Sequence, residues 1–312
     1  MTIHVVPTDF ATVQDAITNA NPGDSIHILA GIYDGFTVTD DKPRLKIYGC
    51  GNEKTIIFGN HIVAVNAEKT ELQKLTVRDF NGDGIKVNSS FNFLHQVKSI
   101  GNENDGFEIN GDHNFISDCS SSFNRDDGFD VNGNSNCIVD CHSLNNRQGG
   151  FCIDGNANFV LNNIAKENGS NQTQHFGFLL ENNDENTDGG AFNFLFGNTA
   201  RKNIGAGIVC EGADNNSIKK NRICKNESSG ILLTSQADQN VIDTNTIRNN
   251  GTGGSGSGIF IADGAGGADK ENAIKFNRVK KNVELDIKIE GPVEENIFDG
   301  NKCDNSNGNV CN

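Results

Sequence analysis

The sequence predicts an all-β solenoid: a single parallel β-helix with rungs of about 22 residues and an N-terminal capping helix. Three observations predict it. Gly84, Gly106, Gly128 and Gly150 stand 22 residues apart. After each comes a short alternating stretch, from Ile85-Lys86-Val87 through Phe107-Glu108-Ile109 and Phe129-Asp130-Val131 to Phe151-Cys152-Ile153, and a period of two is a strand signal. Two asparagine series keep step with the glycines. One runs Asn92, Asn114, Asn136, Asn158, Asn193, Asn216, Asn240, Asn272; the other follows ten residues later, Asn102, Asn124, Asn146, Asn168, Asn203, Asn226, Asn250, Asn282. Glycine, asparagine and β-formers repeating at this length, without a leucine framework, describe stacked coils.

The elements follow in order. Residues 1–60 form a cap and the first rungs. Val13, Ala16, Ile17 and Ala20 have helical spacing, and Thr12 with Asp15 resembles a capping box. A helix there plugs the open apolar end of a coil. Pro22-Gly23-Asp24-Ser25 reads as a turn and Ile26–Ala30 as a strand. Residues 61–303 hold the rungs. Their asparagines are expected at turns, because Asn tolerates left-handed backbone angles and its amide can bond from rung to rung. Gly177, Gly207, Gly230 and Gly258 continue the glycine series with longer insertions. Residues 304–312 are polar and expected to fray. The whole is expected to be one structural domain.

Composition narrows the partners. There are 26 Lys+Arg against 41 Asp+Glu, a net charge of −15, which argues against broad binding of nucleic acid or anionic membranes. No apolar run is long enough to span a bilayer. Met1–Pro7 has no basic region followed by an apolar one, so the expectation is cytoplasmic as the sequence stands, extracellular if a leader precedes it. Nine cysteines without a CxxC motif read as buried reduced thiols, with Cys303 and Cys311 able to pair in an oxidising compartment. His4, His27, His95, His113, His142 and His175 form no HxH or HxxxH pair, His61 is isolated, and the one Met is Met1, so no copper pattern is present.

The segment FATVQDAITNANPGDSIHILAGIYDGFTV, followed by LKIYGCGNEKTIIFGN, resembles the opening of right-handed parallel β-helix proteins of the pectin-lyase-like superfamily. The resemblance covers nearly the whole chain. It implies the fold, and a function among lyases, hydrolases, epimerases and inert adhesive proteins.

Chemistry concentrates at Asn124-Arg125-Asp126-Asp127-Gly128-Phe129-Asp130. One rung below stand Asp105 and Glu108, and two rungs below Asp83. The register predicts stacked carboxylates with no lysine among them, a costly arrangement unless a cation binds or protons are retained. Hard oxygen donors favour Ca²⁺. The string DDGFD also resembles the calcium site of family 9 pectate lyases. That resemblance implies Ca²⁺ on Asp126, Asp127 and Asp130, with Asp105 the candidate fourth ligand, holding a substrate carboxylate for β-elimination. It also implies a lysine base in a following GFK strand, where this sequence has Cys152. Arg125 and Arg147, stacked 22 residues apart, are candidates for clamping a uronate carboxylate, with Glu108 beside them. By analogy with related lyases Arg147, Lys166 and Arg125 are the candidate bases. The expectation is thus a protein acting on or binding an acidic polysaccharide. The alternative is a non-catalytic surface, adhesive or spore-type β-helix.

The outward position two after each glycine runs Lys86, Glu108, Asp130, Cys152, Leu179, Val209, Leu232, Phe260. Leu179, Val209, Leu232 and Phe260 are expected to form an exposed apolar stripe. A homo-oligomer contact covers it, or an insertion such as Asn182–Ala191 or Gly251–Ser257 does.

Overall fold

A rung closes only if its turns satisfy their own backbone, and asparagine does this throughout. In the computed structural model, which describes residues 1–59, 62–170, 175–182, 189–264, 267–308, 310 and 311, the chain divides into two compact units. These are Met1–Arg147 and Gln148–Asn312.

The first unit stacks parallel strands in register at the sequence period. Phe107 pairs with Ile85 below and Phe129 above, and Glu108 with Lys86 and Asp130. Ile85, Val87, Phe107, Ile109, Phe129 and Val131 point inward and are fully buried. The Phe107 and Phe129 rings stack with centroids 4.6 Å apart. On a second sheet Phe93–Ile100 lies between Glu71–Arg78 and the pair Phe115–Ser117 and Ser120–Ser122. The predicted helix is present as Val13–Asn19. Its cap, Thr12 Oγ1, accepts from Asp15 N–H at 3.0 Å, and it buries Val13, Ala16 and Ile17. Asp24 ties the cap down, accepting from the N–H groups of Thr2 (2.6 Å) and Asn21 (3.0 Å). Those two bonds hold its carboxyl at about 2.

The asparagine ladder is as expected, but the strain lies elsewhere. Asn124 Oδ1 accepts from Asn102 N–H (2.9 Å) and Nδ2 (2.8 Å), and Asn146 Oδ1 does the same for Asn124. The left-handed residue is the one before each asparagine: Phe91 at φ 62°, His113 at 57°, Phe123 at 59°. The buried amide bonds of the ladder offset the roughly 1–2 kcal/mol each such residue costs.

In the second unit the period stretches while the register holds. Phe151 pairs with Phe178, Phe178 with Ile208, Ile208 with Ile231, Ile231 with Ile259 and Ile259 with Ile287. Residues 171–174 and 183–188 lie outside the described residues, and with them much of the Asn182–Ala191 insertion. A third ladder runs here, Asn163, Asn198, Asn221, Asn245, Asn277 and Asn301, in which each Oδ1 from Asn198 onward accepts from the asparagine below. The described residues of the C-terminal stretch, expected to fray, are tied down. Asn305 Oδ1 accepts from Asp286 N–H (2.7 Å), Asn307 Oδ1 from Ile289 N–H (2.8 Å), and Cys303 is disulfide-bonded to Cys311. Polar side chains finish the last strand because its upper backbone edge has no further rung to bond. Among the described residues no helix is long and apolar enough to cross a membrane.

Candidate cation site

Close packing at the rung corner turns an aspartate outward. A Cβ on Gly106 would sit 2.0 Å from Ser121 Oγ, so only glycine fits, and the residue before it faces out. In the first unit that residue is Asp83, Asp105 or Asp127. They chain together: Asp105 N–H donates to Asp83 Oδ1 at 3.4 Å, and Asp127 N–H to Asp105 Oδ1 at 2.8 Å.

Asp105, Asp126 and Asp127 each present a carboxylate oxygen, and the three lie within 4.8 Å of one another. Asp127 is only 9 % exposed. Burial, then the charges of Asp130, Asp127 and Asp126, push the Asp105 carboxyl up to about 9, against the opposing Asp127 N–H. Asp105 is therefore protonated at neutral pH unless a cation replaces the proton. Asp105, the candidate fourth ligand, joins Asp126 and Asp127, whereas Asp130, one of the three direct matches, is not part of this trio; its Oδ2 accepts from Asn132 Nδ2 at 2.9 Å.

The expectation of carboxylates without a lysine is corrected one rung down. Lys86 Nζ is 2.5 Å from Glu108 Oε2 and 4.0 Å from Asp83 Oδ2. Burial and the Glu108 carboxyl raise Asp83. Burial also works to raise Glu108, but hydrogen bonds with Asp83, Lys86 and Asn110 outweigh it and lower the carboxyl. Glu108, predicted to bind substrate, is thus committed to Lys86. Register placed Lys86 beneath Glu108, but only its rotamer takes the ammonium upward.

The predicted basic residues separate. Arg125 is exposed and ion-paired with Glu103. Arg147 is exposed one rung above, its N–H on Asn124 O. Lys166, in the second unit, is 3.0 Å from Glu167 Oε2. Cys152, at the lysine position of the family 9 motif, is 7 % exposed with its thiol 3.4 Å from Asp154 Oδ1. The histidines are dispersed: His4 on Asp24, His27 3.5 Å from Cys50 Sγ, His95 on Ser117, His113 stacked on Phe91. His61 lies outside the described residues, and no histidine joins a group of three metal-capable side chains among them.

The predicted apolar stripe is not an open surface. Leu179 is 6 % and Val209 8 % exposed, packed with Cys152, Phe176 and Ala206, while Leu232 is half-buried against them. Phe260 is half-buried under Lys288 Nζ, 4.3 Å from its ring centroid. The cover is Phe176, whose ring lies over Gly149: a Cβ there would be 2.0 Å from it. The Gly149-Gly150 pair, standing where earlier rungs have Asp-Gly, was the available signal. What remains open is a cavity of about 410 Å³ between Phe176 and Leu232.

Known proteins place this architecture. The chain is similar to the A-module of the Azotobacter vinelandii mannuronan C-5 epimerase AlgE6, at 16% identity and TM-score 0.79 over 94% of this chain and 88% of that one. It is similar to the PL6 family polysaccharide lyase Pedsa3628 from Pseudopedobacter saltans, at 14% identity and TM-score 0.64 over 93% and 90%. Pectate lyase Pel9A matches at 17% identity and TM-score 0.59 over 100% and 79%. At these identities the likeness establishes the fold, a right-handed parallel β-helix. No curated protein matches in sequence. The model for "Right handed beta helix region" matches residues 186–309. That for "Periplasmic copper-binding protein (NosD)" matches residues 55–242, more than half of the sequence, and the chain belongs to that family.

Proposed function

We propose that the protein binds an acidic polysaccharide through a hard divalent cation, Ca²⁺, held by Asp105, Asp126 and Asp127, and acts on it by β-elimination or epimerisation. The observation that carries this is the trio: three carboxylates from two successive rungs, one kept protonated by burial and by its charged neighbours. Donors of this kind suit a cation with oxygen ligands. Ca²⁺ bound there would supply the positive charge that holds a uronate carboxylate and favours loss of the adjacent proton. Asp105 would release its proton on loading, and Asp126 and Asp127 would orient the sugar acid. Arg147, exposed above Arg125, is the candidate to take the substrate proton; Lys166 is occupied by Glu167. The neighbours' printed activities, on mannuronan and pectate, support the substrate class. The family's name implies copper. The trio does not fit it: copper prefers nitrogen and sulfur donors, the trio is all oxygen, and no histidine joins a group of three metal-capable side chains among the described residues.

A second reading is binding without turnover. The lysine position is a buried cysteine and Arg125 is held by Glu103. The Cys303–Cys311 disulfide favours an oxidising compartment, where such polymers are met.

The test is absorbance of unsaturated uronate products on pectate and alginate, with Ca²⁺ and with chelator, alongside NMR for epimerised residues. Ca²⁺-dependent product that Asp127→Asn abolishes is the expected result. Ca²⁺-dependent binding with neither product would leave the second reading. Neither binding nor product would sink both.

A further inference from the structure

The acidic protein carries a concentrated basic recess on its second unit. Here the strands Ile164–Lys166, Thr199–Arg201, Arg222–Cys224 and Thr246–Arg248 stack in parallel. Two outward rows result. One reads Lys166, Arg201, Cys224, Arg248; the other Ile164, Thr199, Arg222, Thr246. Arginine therefore alternates between the rows in three successive rungs, which are about 4.8 Å apart. Cys224 is short and 6 % exposed, so the side chains of Arg201 and Arg248 rise on either side of a gap. The turn adds Lys202 (φ 56°) and Lys225 (φ 60°), each directly before a ladder asparagine, Asn203 and Asn226. The ladder fixes the left-handed turn, and the turn throws both lysines outward.

The outcome is a cavity of about 370 Å³ lined by Arg201, Lys202, Arg222, Cys224, Lys225 and Arg248, with no carboxylate in its wall. Lys202 pairs with Glu167 at 3.1 Å. Arg201, Arg222, Lys225 and Arg248 make no ion pair with any described residue. On a chain of net charge −15, four unpaired cations around one recess repel one another unless an anion sits there. Guanidinium groups suit the planar, two-oxygen carboxylate.

We infer that this recess is a docking surface for an acidic polysaccharide chain, engaging sugar carboxylates through Arg201, Arg222 and Arg248. It goes beyond the cation site and does not require it. A nucleic acid is the weaker fit. No aromatic ring lines the recess to stack a base, whereas Ile164 and Thr199 offer the mixed apolar and hydroxyl floor a sugar ring needs.

The experiment is affinity electrophoresis through gels containing polygalacturonate, alginate or a neutral glucan, with chelator throughout, and a parallel shift assay with duplex DNA. The proteins are the wild type, Arg222→Glu/Arg248→Glu, Arg222→Gln/Arg248→Gln, and a control reversing two exposed first-unit lysines, Lys54→Glu/Lys74→Glu. Circular dichroism melts check that each is folded; all the changed basic residues are exposed. Retardation by a polyuronate and not by glucan is expected. It should fall at least about tenfold in the Glu pair, less in the Gln pair, and be unchanged in the lysine control. An equal loss in the lysine control would reduce the effect to general charge and overturn the inference. So would DNA binding as tight as polyuronate binding, or no retardation. Retardation with chelator but no product in the activity assay would sustain this surface while the cation-dependent chemistry fails.

Discussion

The same position does opposite work in the two units. Before each rung glycine the first unit has Asp83, Asp105 and Asp127; the second has Gly149, Phe176, Ala206, Ser229 and Ser257. In the first unit the side chain accepts the next rung's N–H and gathers negative charge. In the second, Ser229 Oγ keeps the backbone bond, accepting from Ser257 N–H at 3.1 Å, without the charge. Phe176 and Ala206 instead roof the apolar stripe. One turn geometry, set by the glycine, thus carries either a carboxylate cluster or a patch of outer core. The choice lies in one residue per rung.

Exchanging the two chemistries should have the largest effect. Gly149→Asp restores the first-unit pattern but drives a side chain into the Phe176 ring. Overpacking of this kind should lower stability by about 3 kcal/mol, read as an earlier denaturant midpoint. Phe176→Ala in the same chain should recover part of the loss. If Gly149→Asp is neutral, the roof is not what the glycine serves.

The ladders supply the next contrast. Five residues after the first-series asparagines, the first unit has buried Val97, Cys119 and Cys141, and the second has the third asparagine ladder. Asn221→Ala strips Asn198 of an acceptor for its N–H and Nδ2, and leaves Asn245 Oδ1 with the backbone N–H of residue 221 but without the Nδ2 donor. That should cost about 2–4 kcal/mol, since buried partners are left unmade. Cys119→Ala removes a thiol from an apolar stack and should cost about 1 kcal/mol. Equal losses would show that the third ladder adds nothing beyond packing.

Charge gives the third test. The Asp105 carboxyl stands at about 9 when folded, above its ordinary 3.8, so the folded state keeps a proton that the unfolded chain has released. That contribution is complete below the ordinary value and is lost as pH rises toward 9. With chelator, the melting temperature should therefore fall between pH 5 and 9, and Asp105→Asn should flatten the decline. Ca²⁺ at about a hundred times its dissociation constant should restore up to about 2.7 kcal/mol to the wild type and not to Asp127→Asn. A flat wild-type profile would remove the strain on which the cation site is argued.

What the sequence could reveal follows the range of each cause. The 22-residue repeat fixes register, and register alone brings Asp105 beneath Asp127, so fold and trio were both legible. Lys86 was visible, but its reach to Glu108 is a rotamer and has no periodicity. The cover by Phe176 is the placement of its ring over Gly149, which has no periodicity, and the basic recess depends on rungs of 23 to 35 residues that blur the rows. The third ladder was legible and overlooked: Asn163, Asn198, Asn221, Asn245 and Asn277 each lie five residues after a first-series asparagine.

Two ion pairs within the first unit give the smallest effects and separate surface from site. Arg125 is 61% and Glu103 41% exposed, so water screens them and Arg125→Ala should change stability by under about 1 kcal/mol. Lys86 is 33% exposed, but its partners Glu108 and Asp83 are only 16% and 13%. Lys86→Ala leaves two crowded carboxylates beneath the trio, and they must take up protons to stay folded. The loss should exceed that of Arg125→Ala and grow as pH rises, while Arg125→Ala stays level. If the two variants track each other from pH 5 to 9, Lys86 is only another surface cation. The charge strain at the trio would then not extend to the rung beneath it.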